Sequence, residues 1–141
     1  MVDARRCLSY LSIEHRGAVG EKFRPLWGRR IFGCDACQAA CPHNEHAPTG
    51  DPELIAPAAP LGGAGLDEIL TWTKPRWAAA TRRSAIRRAG YEGLMRNAIL
   101  AAAGAGDAAL TTPLGDMRRR LPQFAELIDW ATQQLSGDDP N

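Results

Sequence analysis

Gly33-Cys34-Asp35-Ala36-Cys37-Gln38-Ala39-Ala40-Cys41-Pro42-His43-Asn44 carries three of the four cysteines of the chain, spaced C-x2-C-x3-C-P. Two thiolates three residues apart on a loop can grip one metal centre from one side. Gly33 lets the backbone come close and aim amide hydrogens at sulfur. The run is one thiolate short of a four-ligand set with C-x2-C spacing, and the remaining cysteine is Cys7. Cys7, Cys34, Cys37 and Cys41 are therefore the candidate metal ligands.

Two metal chemistries compete for them. The ending C-x3-C-P is that of the iron–sulfur run C-x2-C-x2-C-x3-C-P, whose last cysteine serves the other cluster in two-cluster proteins. Four thiolates also make a closed tetrahedral zinc site. The C-P ending and the flanking residues favour iron–sulfur. Four inert buried cysteines would not need C-x2-C spacing, and a disulfide would need an oxidising compartment that nothing here suggests. With four cysteines present, His15, His43 and His46 read as loop or surface histidines. Arg5, Arg6, Arg29 and Arg30 flank the cysteines, where guanidinium groups would offset the charge of an anionic cluster and raise its potential. Individually, each reads more readily as a solvated arginine.

The chain has 141 residues, 45% hydrophobic and 23% charged, with a net charge of +1. That is an ordinary globular composition, with no overall field to select a nucleic-acid partner. The charge is unevenly placed. Lys74 to Arg96 holds seven bases and the single acid Glu92, whereas Phe124 to the end holds four acids and no base. Met1 to Arg6 lacks the apolar region of a signal peptide, and no apolar run reaches about 18 residues. A cytoplasmic protein with no membrane partner is expected.

Residues 1–47 form the metal-binding segment, with Asp3 capping a short helix through Cys7, Leu8 and Leu11 and Pro25 opening a further turn. Residues 48–65, rich in proline and glycine, read as a linker. Residues 66–135 read as helical and 136–141 as a tail. Leu66, Ile69 and Leu70 share a face, and Thr73 precedes Lys74-Pro75 as a helix start. A helix is expected over Arg82 to Ala103, with Leu94, Ala98, Ala101 and Ala102 as a narrow packing stripe. Gly104 and Gly106 should stop it, with Asp107 capping the next helix around Leu110, Leu114 and Met117. Pro122 should start a last helix facing inward through Phe124, Leu127, Ile128, Ala131 and Leu135. Such alanine-rich helices joined by short turns suggest antiparallel pairs of the HEAT type. About two pairs fit, too few for a free-standing solenoid, so this segment should dock against something else.

Arg82, Arg83, Arg87 and Arg88 concentrate positive charge. On a continuous helix, positions 83 and 87 share a face, as do 84 and 88. Such a row is matched to phosphates and is the candidate nucleic-acid contact, or else a solvated face.

The run Asp3 to Gly17 (DARRCLSYLSIEHRG) closely resembles a segment of the epoxyqueuosine reductases. So do Ile31 to Gln38, Cys41-Pro42, Asn44, Ile86 to Gly90 and Leu94 to Asn97. His43 departs from the tryptophan usual in that family, without removing a ligand. The resemblance implies a mainly α fold: a partial bacterial-ferredoxin-like iron–sulfur segment followed by HEAT-like helical hairpins. It implies reduction of the epoxide of epoxyqueuosine at the tRNA wobble position, by cobalamin supplied with electrons from two [4Fe-4S] clusters. By position, Cys7, Cys34 and Cys37 would ligate one cluster and Cys41 the other. The remaining ligands, the cobalamin domain and the catalytic acid fall outside this chain, which looks like the C-terminal part of a reductase and is not expected to be a competent enzyme alone. tRNA, an external electron donor and a separately supplied N-terminal half are the implied partners. A truncated, split or mis-started gene all fit. Two other classes stay open: a small iron–sulfur or zinc module without a substrate, and an RNA-binding adaptor in which the cysteine site is a structural staple.

Overall fold

The structure is a computed structural model that describes residues 3–48, 50–51 and 60–137. Helices and turns make up these residues, with no strand among them. The helices are α1 (Leu8–Ile13), α2 (Ala36–Ala39), α3 (Leu66–Thr71), α4 (Lys74–Ala80), α5 (Gly90–Ala105), α6 (Thr111–Arg120) and α7 (Ala125–Ser136). Short 3-10 turns lead into several of them, at Ala4–Arg6, Ala85–Ala89, Ala108–Leu110 and Pro122–Phe124.

The expected caps are largely present. Thr73 Oγ1 accepts from the Arg76 amide, and Asp107 Oδ1 accepts from the Ala109 amide at 2.9 Å. Pro122 opens the 3-10 turn that runs into α7. Asp3 caps the 3-10 turn Ala4–Arg6 instead of α1, whose N-cap is Cys7. Pro25 opens no helix; it follows the 3-10 turn Glu21–Phe23. Of the expected linker, residues 49 and 52–59 lie outside the described residues, and Pro60–Gly63 form a 3-10 turn. Of the expected tail, residues 138–141 lie outside them too.

The helix expected over Arg82 to Ala103 is two elements. Residues 81–83 turn, Arg83 sits at φ +61°, and a 3-10 stretch runs to Ala89 before α5 starts at Gly90. A left-handed residue cannot lie inside an α-helix, so the break is structural and not a fraying end. At the other end Gly104 continues the helix and Gly106, at φ +66°, ends it.

Every residue of α5 from Leu94 to Ala102 is buried, where a narrow stripe was expected. The reason is that α5 is covered on two sides. Leu94, Met95, Ala98 and Ile99 enter the main core with Ile69, Leu70, Leu114, Met117 and Ile128. Leu100 enters a second, smaller cluster with Leu11, Val19 and Trp27 of the N-terminal segment. The helical segment is thus docked, as its size required, and its partner is the chain's own first third. Gly104 lets the two meet: a Cβ there would lie 2.3 Å from the Gly28 carbonyl oxygen.

Candidate metal centre

The cysteines sit on three short elements. Cys7 caps α1, and its carbonyl accepts from Leu11 at 2.9 Å. Cys34 follows Gly33, whose φ of +75° is open to glycine and strained for other residues. A Cβ at Gly33 would meet nothing within 4 Å, so the backbone here is open to a close-approaching group. Cys37 lies in α2, and Cys41 precedes the 3-10 turn Pro42–Asn44. Asn44 Nδ2 donates to the Gln38 carbonyl at 3.0 Å, which folds that turn back onto the end of α2.

All four thiols are free; Cys37 is exposed and the others half-buried. Among the described residues no three histidine, cysteine, aspartate or glutamate side chains are gathered so as to hold a metal ion. An iron–sulfur cluster sets its thiolates farther apart than a single ion does, because iron and sulfide lie between them. The backbone next to Cys34 and Cys37 suits such a group. Among the described residues, the backbone N–H groups of Cys34, Asp35, Ala36 and Cys37 meet no acceptor, which sets four consecutive donors beside two thiolates. Cys41 lines a separate concavity of about 400 Å³ with Gln38, Pro42 and Asn44, a lining that excludes Cys7, Cys34 and Cys37.

Beneath this surface lies a polar network that sequence reasoning missed. Arg96 and Asn97 are buried in α5, at 3% and 0% exposure. Arg96 Nη1 donates to the His15 and Gly17 carbonyls, each at 2.8 Å, and Nη2 to the Leu11 carbonyl at 2.6 Å. Its Nε and Nη2 also donate to Asn97 Oδ1, so all five guanidinium hydrogens are engaged. Asn97 Nδ2 in turn donates to the Ser12 carbonyl at 2.7 Å and the Ile31 carbonyl at 2.8 Å. Ser12, itself buried, accepts the Gly33 amide on Oγ at 3.0 Å and donates to the Ser9 carbonyl. Burial and the neighbouring Arg16 push the Arg96 guanidinium down to about 10, which leaves it charged at neutral pH. The available signal was Arg96-Asn97 standing in an apolar run that folds to a buried helix.

The four basic positions part company. Arg82 and Arg83 are exposed on the turn before the 3-10 stretch. Arg87 lies over the Trp77 ring at 5.1 Å and donates to the Ala78 carbonyl. Arg88 pairs with Glu14 at 2.5 Å, while its carbonyl accepts from Arg16. The shared helix face expected for 83 with 87 and 84 with 88 does not form, because residues 81–89 are not α-helical. Of the arginines flanking the cysteines, Arg5 pairs with Asp3, and Arg30 and Trp27 exchange hydrogen bonds. His15 bonds the Ala18 carbonyl through Nε2, and His43 and His46 are exposed.

By sequence, the first third is similar to the class of double-cluster iron–sulfur segments. Residues 1–44 match the family model described as a 4Fe-4S double cluster binding domain. The particular homologues are epoxyqueuosine reductases. The chain is 41% identical over 134 residues to that of Escherichia coli (strain K12), covering 94% of this chain and 35% of the relative. It is 42% identical over 139 residues to that of Pseudomonas aeruginosa, covering 94% and 37%. An epoxyqueuosine reductase solved with an epoxyqueuosine-modified tRNA-Tyr stem loop superposes with a TM-score of 0.80 at 27% identity, covering 94% of this chain and 36% of that one. The enzyme from Streptococcus thermophilus gives 0.75 at 28%, covering 97% and 36%. The chain thus spans about a third of the length of the relatives it matches.

Proposed function

We propose that the chain is the C-terminal portion of an epoxyqueuosine reductase, carrying electron-transfer ligands and a tRNA-contacting surface. The similarity across 94% of the chain, through both the cysteine segment and the helices, carries this reading. Residues 1–47 form its ferredoxin-like part and 66–135 its HEAT-like part, joined by 48–65 and followed by the tail 136–141. Cys7, Cys34 and Cys37 hold one [4Fe-4S] cluster and Cys41 contributes to a second. The opening of Cys41 onto its own concavity supports that division. When bound, the clusters supply one-electron transfer. The chain's own part is to hold the thiolates, to offer the amides of residues 34–37 to sulfur, and to seat both on α5.

Arg82 and Arg83 are the exposed phosphate contacts, with Arg87 behind them on Trp77. Arg88 joins the two parts of the chain through Glu14 and serves tRNA less directly. In this reading cobalamin and the remaining cluster ligands lie outside the chain, the electron donor is external, the reaction is cytoplasmic, and the chain alone does not turn over substrate. Anaerobic reconstitution with iron and sulfide is the test. Visible thiolate-to-iron absorption that Cys34→Ser or Cys7→Ser bleaches is expected. Stoichiometric zinc without sulfide, in protein made with ample iron, would defeat the iron–sulfur reading in favour of a zinc module.

A further inference from the structure

We infer that Ser12 and Asn97 are positioning residues that set the spacing between Cys7 and Cys34; this rests on the reading that both cysteines serve one cluster. Cys7 and Ser12 stand at the two ends of the same short helix region, Cys7 as its N-cap and Ser12 in its last turn. Gly33, next to Cys34, is bound by its amide to Ser12 Oγ at 3.0 Å. That single bond joins the helix of one ligand to the loop of the other.

Asn97 holds the same two segments from below, through Ser12 O at 2.7 Å and Ile31 O at 2.8 Å. Its amide cannot be reversed, because Oδ1 receives Nε and Nη2 of Arg96 and an NH2 group there would face donors only. Ser12, Arg96 and Asn97 are buried and the donors of Arg96 and Asn97 are all paired, which favours a single arrangement. A helix end and a glycine turn, each too short to hold itself, are thereby fixed on the rigid face of α5. Cysteine spacing in sequence cannot do this, since 26 residues separate Cys7 from Cys34.

The test uses the full chain with Cys37→Ser and Cys41→Ser, leaving Cys7 and Cys34 to be bridged by a short bis-maleimide. Ser12→Ala should slow intramolecular bridging relative to single alkylation by about fivefold, the factor that goes with a net hydrogen bond of about 1 kcal/mol. Ser12→Thr, which keeps the hydroxyl, should restore it, and Asn97→Ser should slow it as Ser12→Ala does. Helical melting by circular dichroism identifies any variant that fails to fold, and the mild Ser12→Ala decides the matter if Asn97→Ser does. In the reconstituted chain with all four cysteines, Ser12→Ala should also shift the reduced-state EPR signal. Bridging at the unaltered rate in Ser12→Ala, with the same EPR signal and only a lower melting temperature, would overturn the inference. Wild-type chain that bridges fast but assembles no cluster would instead defeat the functional reading and leave the positioning claim supported.

Discussion

At the scale of single residues, Arg96 and Arg83 are the two that depart most from ordinary surface arginines. Arg96 satisfies three carbonyls and the Asn97 amide oxygen from inside the fold. Arg96→Ala leaves those acceptors buried without donors, and a loss of about 3–5 kcal/mol is expected in urea unfolding. Arg96→Lys keeps the charge but not the planar fork, so it should recover only part of that loss. Arg83, at φ +61°, pays a steric cost that glycine would not. Arg83→Gly should therefore stabilise the chain by about 1 kcal/mol while weakening tRNA binding. In a complete reductase, Arg82→Ala with Arg83→Ala should flatten the log-affinity versus log-salt slope by about 0.7–0.9 per lost phosphate contact. Arg88→Ala should instead disturb the seating of the N-terminal segment, because its partner is Glu14. A salt slope unchanged by the Arg82/Arg83 pair would make them a solvated turn.

Elements differ in what their glycines do. Gly104 and Gly115 both lie within helices, and propensity alone would favour alanine at each. At Gly115 a Cβ meets nothing within 4 Å, so Gly115→Ala should stabilise α6 by about 0.5–1 kcal/mol. At Gly104 the obstruction is the Gly28 backbone, which cannot swing aside as a flexible side chain would. Gly104→Ala should cost about 1–3 kcal/mol and loosen the loop before Cys34. Opposite signs in denaturant midpoint test the close approach directly. The corner between α3 and α4 adds a pH dependence. Hydrogen bonds from Arg76 and then Trp72 hold the Glu68 carboxyl below its usual range. A depressed carboxylate contributes stability that is present above the unfolded pKa and lost as pH falls through the folded one. The melting temperature of wild type should therefore exceed that of Glu68→Gln at neutral pH and converge with it in acid.

For the whole molecule, the joint between the N-terminal segment and the helices decides the behaviour. Trp27 is 1% exposed in the small cluster with Leu11, Val19 and Leu100. Trp27→Ala should cost about 3–5 kcal/mol. Hydrogen exchange should show protection lost first over residues 8–33, while α3 and α6, seated in the main core, keep theirs. Simultaneous loss everywhere would mean that the two parts fold as one cooperative unit. Among the described residues, no helix is long and apolar enough to cross a membrane.

Local chemistry was legible in the sequence. The C-x2-C-x3-C-P run, the caps at Thr73 and Asp107, the turn at Gly106 and the inward positions Leu114, Met117, Ile128 and Ala131 depend on neighbours within a turn or two. So did the resemblance, carried by contiguous runs that the homologues share. Tertiary structure decided what depends on distant parts of the chain. The apparent basic helix breaks at Arg83, and Arg88 turns to Glu14, a partner 74 residues away. The stripe on α5 becomes a helix buried all along Leu94 to Ala102, because the N-terminal segment covers its second face. Periodicity reports one apolar face toward one core. It cannot show that a second face is closed by a polar network, since Arg96 and Asn97 look like surface residues until Leu11, Ser12, His15, Gly17 and Ile31 bring them their acceptors.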